Sequence, residues 1–593
     1  MGRMSAESLT AAVRQAEACE RQGRFAEAAA LYRQVLAQRP TNAFVWNLLG
    51  AALYHSGESP AALAAYERSI ELDPSKPEPH YNLGNALRSL GDSRRAREEL
   101  QRAADLRPSD ARLQHKLGCV LLEQGEIAAA SDVFERTLQL APNHVDALAN
   151  LGSCRLQLGQ FDEARHCLAK ATAVDPKSVV AWNNFGSLLL RQKQWSDAEH
   201  CFRRALEISP QQAEAHNNLG AACEGRGDLA AAEAGYRAAI AVRPNYATAL
   251  YNLGNVLQSQ GQFDLAAHHY DLALAIRPGY PEAEFQRGTL RMLHGDLRGG
   301  YAGFARRWEM PAARHLKRQF TAPAWKGESL RGQNILLYAE QGYGDLLQFV
   351  RFARLVSERG GKVILECRPE IVPLMRTAPG IERVISTGET PPPFAVQAAL
   401  MDVPAILNLT VEQIPAVVPY LAADADRVEH WRRKLATFSG LKVGVVWQGS
   451  PTYRFDAARS IPLNELAPLA AVPGVNLVSL QKGVGSEQTA GFPLHRLPAD
   501  FDAAGAAFVD TAAVMMNLDL VITSDTAIAH LAGALGRPVW IALGTAPDWR
   551  WFLDRDDSPW YPTAKLFRQK NAGDWPEVFG RIARELLQLV ERK

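Results

Sequence analysis

The sequence predicts an α-solenoid of stacked helix pairs over its first half, followed by an α/β region of two doubly wound parallel sheets. Two observations carry this. Eight prolines stand at positions 40, 74, 108, 142, 176, 210, 244 and 278, each 34 residues after the last. Beyond residue 330, short β-rich runs alternate with helical segments, the pattern of parallel strands joined by helical crossovers.

The period defines the first half. A 34-residue repeat is the length of a tetratricopeptide unit, two antiparallel helices that bury their apolar faces only by stacking on neighbours. Three further registers keep step. Gly50, Gly84, Gly118, Gly152, Gly186, Gly220, Gly254 and Gly288 are expected where the first helices of adjacent units approach closely. Ala62, Ala96, Ala130, Ala164, Ala198, Ala232 and Ala266 are expected to do the same for the second helices. An aromatic or Leu recurs in phase from Tyr32 and Tyr66 to Tyr270 and Phe304. The last unit, from Gly288, departs from pattern: Gly299 and Gly300 replace small helix residues, and Arg306-Arg307-Trp308-Glu309 replaces the run to a proline. Terminal repeats deviate in this way when they cap the stack or dock on a neighbouring domain.

Composition narrows the class. Formal net charge is +1 over 593 residues, so no global field draws in nucleic acid or anionic membrane. The seven cysteines show no CxxC spacing, and six lie in repeat helices, which predicts neither disulfides nor zinc. The N-terminus lacks the apolar core of a signal peptide, and no apolar stretch approaches the ~18 residues of a membrane span. A protein of the reducing cytoplasm is expected.

The second half reads as strands at NILLYAE (334–340), KVILECR (362–368), KVGVVWQ (442–448), NLVSLQK (476–482), DLVITSD (519–525) and PVWIALG (538–544). The expected division is repeats over 1–310, a linker over 311–330, one α/β lobe over 331–435 and a second over 436–593. The segment 428–438 is expected to be helical between the lobes, and Glu577–Val590 to form a terminal amphipathic helix.

Ligands of open α/β sheets bind beyond the carboxyl ends of strands, and three strand ends here carry unusual residues. Glu340-Gln341-Gly342-Tyr343-Gly344-Asp345 is a glycine-rich turn; Asp345 is either the helix N-cap or a general base at the mouth of a crevice. Trp447-Gln448-Gly449-Ser450-Pro451, with Arg454, Arg459 and Ser460, is either a solvated loop or a phosphate-binding one. Asp525-Thr526-Ala527-Ile528-Ala529-His530 joins a buried strand directly to a small-residue helix. The N–H groups and dipole of that helix favour a diphosphate, with the Thr526 hydroxyl and His530 beside it. The bland reading of His530 is a core histidine with its hydrogen bonds met. The aromatic segment 546–562 either walls a ligand site or packs the lobe interface.

The runs GYGD (342–345), VVWQGSP (445–451), SLQKG (479–483) and SDTAIAHLAGALGRPVW (524–540) together resemble the ADP-heptose:lipopolysaccharide heptosyltransferases over residues 331–593. That resemblance implies an inverting, metal-independent GT-B enzyme of two Rossmann-like lobes, with the acceptor on the first and the nucleotide-sugar on the second. It matches Asp345 to the catalytic base, and Asp525, Thr526 and His530 to the donor-diphosphate loop. Trp447, Ser450, Arg454, Arg459, Gln481 and Lys482 complete the expected donor site. Ala527 stands where the family usually has Gly, and its lysine is not evident unless Lys482 or Arg454 replaces it.

Two residues before five of the eight repeat glycines, Asn82, Asn150, Asn184, Asn218 and Asn252 form a ladder expected on the concave surface, with Leu48, Lys116 and Gln286 at the other three. An amide offers both donor and acceptor, which suits a peptide backbone of any sequence; the alternative is a tie between adjacent helices. NLG at Asn82 and Asn252 resembles the superhelix of the O-linked N-acetylglucosamine transferases, and the whole resembles bacterial repeat-bearing glycosyltransferases, including those that modify flagellin. The expected function is transfer of a sugar from a nucleotide-sugar to a Ser or Thr hydroxyl of a protein held by the repeats, without metal or cofactor. Transfer to a glycolipid or polysaccharide, and a non-catalytic repeat scaffold, are the alternatives.

Overall fold

A computed structural model describes the chain apart from residues 1–5, 315, 341, 451–455, 499, 503–505 and 593. It divides into two compact units, Met1–Pro244 and Asn245–Lys593. Among the described residues, eighteen tandem helices run from Ala6–Arg21 to Leu297–Ala305, and two parallel sheets come after them in the chain.

In the first unit the helices pair as the period requires, for example Ala43–His55 with Ser59–Leu72 and Ala111–Glu123 with Ile127–Leu140. The helix starts are locally encoded: the Asn42 side chain accepts from the Val45 N–H and Ser178 from that of Ala181, satisfying donors the first turn leaves open. The repeat prolines lie between units, and their carbonyls are used. Trp46 Nε1 donates to the Pro40 carbonyl at 2.8 Å, and Trp182 Nε1 to that of Pro176 at 3.0 Å.

One expectation is corrected here. The repeat glycines from Gly50 to Gly254 do not bring first helices of adjacent units together; each makes room for the bulky side chain of its own second helix. A Cβ on Gly50 would lie 2.6 Å from the Tyr66 ring, on Gly118 2.6 Å from Phe134, and on Gly152 2.5 Å from Leu168. A register missed in the sequence lies in the turn inside each repeat, where Gly57, Gly91, Gly125 and Gly159 hold φ of 88°, 84°, 79° and 77°. That left-handed conformation suits glycine because it has no Cβ. Thirty-four residues after Gly159, Lys193 takes the same role at φ 58°.

The second unit opens with the last two helix pairs, Ala247–Ser259 with Phe263–Ile276 and Pro281–Leu293 with Leu297–Ala305. In the final pair backbone meets backbone: a Cβ on Gly288 would lie 2.7 Å from the Gly300 carbonyl oxygen and 2.9 Å from Gly303 Cα. The glycines of the deviant last repeat therefore allow a closer helix crossing. Its outer face docks on the first α/β lobe, with Arg298 Nε donating to the Asn408 carbonyl at 2.8 Å and the Tyr301 hydroxyl to that of Leu409 at 2.9 Å.

The first sheet comprises β1 (Asn334–Tyr338), β2 (Lys362–Cys367), β3 (Ile381–Ser386) and β4 (Val396–Ala399), in the order β3-β2-β1-β4. The second comprises β5 (Leu441–Val446), β6 (Val475–Ser479), β7 (His495–Arg496), β8 (Leu520–Ser524), β9 (Val539–Leu543) and β10 (Ala564–Arg568), in the order β10-β9-β8-β5-β6-β7. Every pairing is parallel, and the central strands β1, β5 and β8 are almost wholly buried, as sheets covered on both faces require. Part of the stretch expected as linker joins the first sheet: the Trp325 N–H donates to the Gln397 carbonyl at 2.8 Å, and the Gln397 N–H to that of Pro323 at 3.1 Å. This covers the open edge of β4.

Each sheet reverses its strand order once, between β1 and β4 in the first and between β5 and β8 in the second. Chain connections leave in opposite directions at such a switch point, which opens a crevice at the carboxyl ends of the two strands. A buried core joins the lobes behind these crevices. Arg351 donates to the Trp560 carbonyl at 2.6 Å and the Tyr420 hydroxyl at 2.7 Å, and the Tyr420 N–H donates to the Ala534 carbonyl at 2.9 Å.

Candidate functional site

Within the second unit, a cavity of about 410 Å³ lies where the two switch points meet the last repeats. Glu340 and Asp345, after β1, and Met401, after β4, face it from the first sheet. Arg459, after β5, and Asp525, after β8, face it from the second. Asp548 to Arg550, from the loop after β9, close one side, while Phe285, Gln286 and Thr289 of the helix Pro281–Leu293 form a wall.

Asp345 lies in the first turn of the helix Tyr343–Phe349, whose N-cap is Gly342. It is therefore not the N-cap, one of the two roles its sequence context allows. Its carboxylate, 32% exposed, receives Arg550 Nη2 at 2.6 Å. Burial raises its pKa above the ordinary carboxylate range, and Arg550 opposes that rise. Glu340 is gripped by both arms of Arg307, at 2.9 and 2.7 Å, and Arg307 also meets Asp402 at 2.7 Å. The Arg-Arg-Trp-Glu run that ends the repeats thus anchors the strand end from which the Asp345 turn departs.

Across the cavity, Thr526 is the N-cap of the helix Ala527–Ala534, its hydroxyl accepting from the Ile528 N–H at 3.3 Å and lying 3.1 Å from the Thr523 hydroxyl. Arg459 Nη1 donates to the Asp525 carbonyl at 2.9 Å and its Nε to Asp456 at 3.0 Å. Burial, helped by Asp548, pushes the Asp525 carboxyl up to about 6, against Arg459 and Arg550. The turn of the first lobe presses directly on this helix: a Cβ on Gly344 would lie 3.2 Å from His530 Cδ2 and 3.5 Å from Ala527 Cα.

His530 has the surroundings of a core histidine. Its Nδ1 lies 2.9 Å from the Tyr561 hydroxyl, and its ring stacks on Trp551 at 5.3 Å and 13°. Burial, with Arg550 and Arg351 adding, holds its pKa well below the usual range, so the ring is neutral. The 546–562 segment serves both expected ends: Trp551, Trp560 and Tyr561 are fully buried in the lobe core, while Trp549 and Arg550 line the cavity.

Other expected donor-site residues are placed differently. Trp447 is fully buried beneath its loop. Gln481 accepts from the Trp447 and Gln448 N–H groups at 3.2 and 3.1 Å and donates to the Gln448 carbonyl at 3.0 Å. Lys482 donates to the carbonyls of Phe501 and Asp502. Gln481 thus builds the loop after β5 and Lys482 ties to the 501–502 segment, and neither lines the cavity. Ser450 is exposed, and Arg454 lies outside the described residues.

The amide ladder is present and its nitrogens point along the stack. Asn82 Nδ2 donates to Asn47 Oδ1 at 3.0 Å, Asn184 Nδ2 to the Ala149 carbonyl at 3.1 Å, and Asn218 Nδ2 to Asn183 Oδ1 at 3.3 Å. Asn150 Nδ2 lies 3.3 Å from His115 Nε2. Each bond reaches the first helix of the preceding repeat, the geometry of a tie between helices. Asn252 is half-buried at the corresponding place in Ala247–Ser259, and Gln286, next in register, lines the cavity. All seven cysteines are free thiols. Among the described residues no helix is long and apolar enough to cross a membrane, and no group of three or more His, Cys, Asp or Glu is placed to hold a metal.

Comparison with known proteins places the repeats in a broad company. Family models match at residues 9–52 (tetratricopeptide repeat), 50–91 (TPR repeat) and 80–289 (cilia and flagella-associated protein 70 C-terminal domain). The chain is 28% identical to protein FlbA of Caulobacter vibrioides over 330 residues, 51% of this chain and 54% of that protein, so it spans about half of that relative's length. Similar solved structures include YrrB, a TPR protein with an unusual peptide-binding site (24% identity, TM-score 0.28, covering 31% of this chain and 95% of that one). Another is the APC/C hetero-tetramer Cut9–Hcn1 (20% identity, TM-score 0.37, covering 48% and 56%). The protein is a tetratricopeptide-repeat protein with an α/β region after the repeats, and such repeats are a scaffold for protein partners.

Proposed function

We propose that this chain is an inverting glycosyltransferase of GT-B architecture that moves a sugar from a nucleotide-sugar to a Ser or Thr hydroxyl of a protein held by the repeats. One observation carries the reading: the switch points of both parallel sheets open on one cavity, and a carboxylate stands in it beside the wall of the last repeat. Asp345 takes the proton of the acceptor hydroxyl as that oxygen attacks the anomeric carbon, whose configuration inverts. The leaving diphosphate lies at the turn of Asp525 and Thr526, where the helix Ala527–Ala534 begins and Arg459 supplies positive charge. The acceptor segment enters along Phe285, Gln286 and Thr289. No metal is part of this reading.

The test is intact-mass measurement of proteins that copurify with the full chain, from cells with and without its gene. A sugar-sized mass difference on one partner is expected and would name acceptor and sugar together. Partners of identical mass in both cells would overturn the reading. In parallel, a nucleoside diphosphate is expected to raise the melting temperature of the second unit, with or without EDTA.

A further inference from the structure

We propose that Arg550 is the positioning residue of Asp345: a guanidinium from the second lobe that holds the carboxylate of the first lobe ionised and aimed into the cavity. This deepens the transferase reading and rests on Asp345 as its base. The geometry is a two-point grip. Arg550 Nη2 reaches Asp345 at 2.6 Å, and its Nε reaches Gln348 Oε1 at 2.5 Å, one turn further along the same helix, Tyr343–Phe349. Its Nη1 is held by Asp548 at 2.8 Å, and its plane lies over Trp549 at 4.7 Å. All three nitrogens of the guanidinium are engaged and the side chain is only 9% exposed, a fit that lysine's point charge does not reproduce.

Among the described residues lining the cavity, Arg550 is the cation in contact with Asp345; Arg307 acts on that carboxylate from a distance, and the Gly342 N–H also donates to it. Arg307 is bound to Glu340 and Asp402, and Arg459 is bound to Asp456. Asp548, Glu340 and Asp525 add negative charge from the loop after β9, the end of β1 and the end of β8. Removing the guanidinium would leave Asp345 and Asp548 in a partly dry site without their shared cation, where the charged form of a carboxylate is disfavoured. Because the grip spans the lobes, the base is ionised and oriented only while the two lobes are together.

The experiment follows unfolding of the full-length protein by tryptophan fluorescence between pH 5 and 9, for wild type, Arg550→Gln, Arg550→Lys, Asp345→Asn and the Arg550→Gln/Asp345→Asn double variant. At pH 8, Arg550→Gln is expected to melt several degrees below wild type. The gap should narrow toward pH 5 as the stranded carboxylates take up protons, and Asp345→Asn should recover part of it at pH 8. That recovery isolates Asp345 from Asp548. Arg550→Lys, which keeps the charge and guards against a failure to fold, should show the same trend with a smaller gap. A gap equal at every pH and unchanged by Asp345→Asn would overturn the proposal, leaving Arg550 as packing. Transfer by Asp345→Asn at the wild-type rate would instead overturn Asp345 as base, a separate result that the stability cycle does not produce.

Discussion

The repeats and the α/β lobes solve the same packing problem with opposite economies of information. In the first unit one contact recurs: Gly50 admits Tyr66, Gly118 admits Phe134, Gly186 admits Phe202, each through the same missing Cβ. In the lobes such contacts follow no period: a Cβ on Gly361 would lie 2.5 Å from Leu330, and one on Gly444 2.6 Å from Leu518. A Cβ on Gly533 would lie 2.2 Å from Tyr561, and among the described residues nothing repeats the arrangement of Asp345, Gln348 and Arg550. Stability in a repeat array is close to a sum of units and their nearest-neighbour interfaces. In the lobes, contacts join residues two hundred positions apart, so local damage spreads to the site.

The sharpest way to break the comparison is at the base. Asp345→Asn is expected to lower transfer by about 10²–10⁴-fold, the usual cost of losing a general base. No substitution of one repeat residue should approach that. Turnover of labelled acceptor protein by the variant decides it, and wild-type turnover would make Asp345 an ordinary helix residue.

Packing comes next. Gly533→Ala should destabilise the second unit by roughly 1–3 kcal/mol, because the Tyr561 ring has no room to retreat from a fully buried position. Gly152→Ala, whose Cβ would lie 2.5 Å from Leu168 Cγ, should cost less and act on the first unit alone, because an aliphatic chain can change rotamer where a rigid ring cannot bend. Equal losses in urea unfolding would remove the contrast.

These outcomes bear on how much the sequence disclosed. Periodicity made the repeats readable, since each register was written many times over. The strands β1, β2, β5, β6, β8 and β9 were readable as apolar runs because both faces of their sheets are covered. β3 was not, since Glu382 and Arg383 interrupt it at a sheet edge, and β7 is only His495–Arg496. Asp345 and the Asp525 turn stood out as strand–turn–helix junctions. Their partners did not: Arg550 lies within a run that stands out for its aromatics, and Arg307 within a repeat ending that reads as a cap or docking end with no role marked for the arginine. Hydrogen bonds across such separations leave no local pattern.

Acidity offers a further contrast. The Asp525 carboxyl is raised to about 6 in the fold by burial and Asp548, above the ~3.9 of an unfolded aspartate. Its protonated form therefore favours the folded state, a contribution fully present below about 3.9 and lost as pH rises through about 6. Asp525→Asn should consequently raise the melting temperature of the second unit at pH 8, with the gain shrinking as pH falls below 6. No gain at pH 8, or a gain that does not change with pH, would mean that the carboxylate titrates alike in the folded and unfolded chain.

In the ladder, the geometry makes chemical identity matter more than size. Asn184 donates to the Ala149 carbonyl, so Asn184→Ala should cost about 0.5–1.5 kcal/mol of first-unit stability. Asn184→Asp should cost more, because a carboxylate oxygen would then face that carbonyl. If Asp is as stable as Asn while acceptor binding falls, the amide grips a partner and not its neighbouring helix.

The smallest effect tests whether the repeats really are interchangeable. Lys193 occupies the turn position that Gly57, Gly91, Gly125 and Gly159 fill in earlier units, and it holds φ at 58°. For a residue with a Cβ the left-handed region costs about 1–2 kcal/mol, while glycine loses roughly 0.5–1 kcal/mol through its looser unfolded chain. Lys193→Gly should therefore stabilise the first unit by a few tenths to about 1 kcal/mol, read as a higher urea midpoint with an unchanged slope. Gly159→Lys should lose a similar amount if the two turns are equivalent. A stabilising Lys193→Gly paired with a harmless Gly159→Lys would show that the turns differ in surroundings despite sharing a period. A destabilising Lys193→Gly would mean that the lysine stem packs on its repeat strongly enough to outweigh the strain of its backbone.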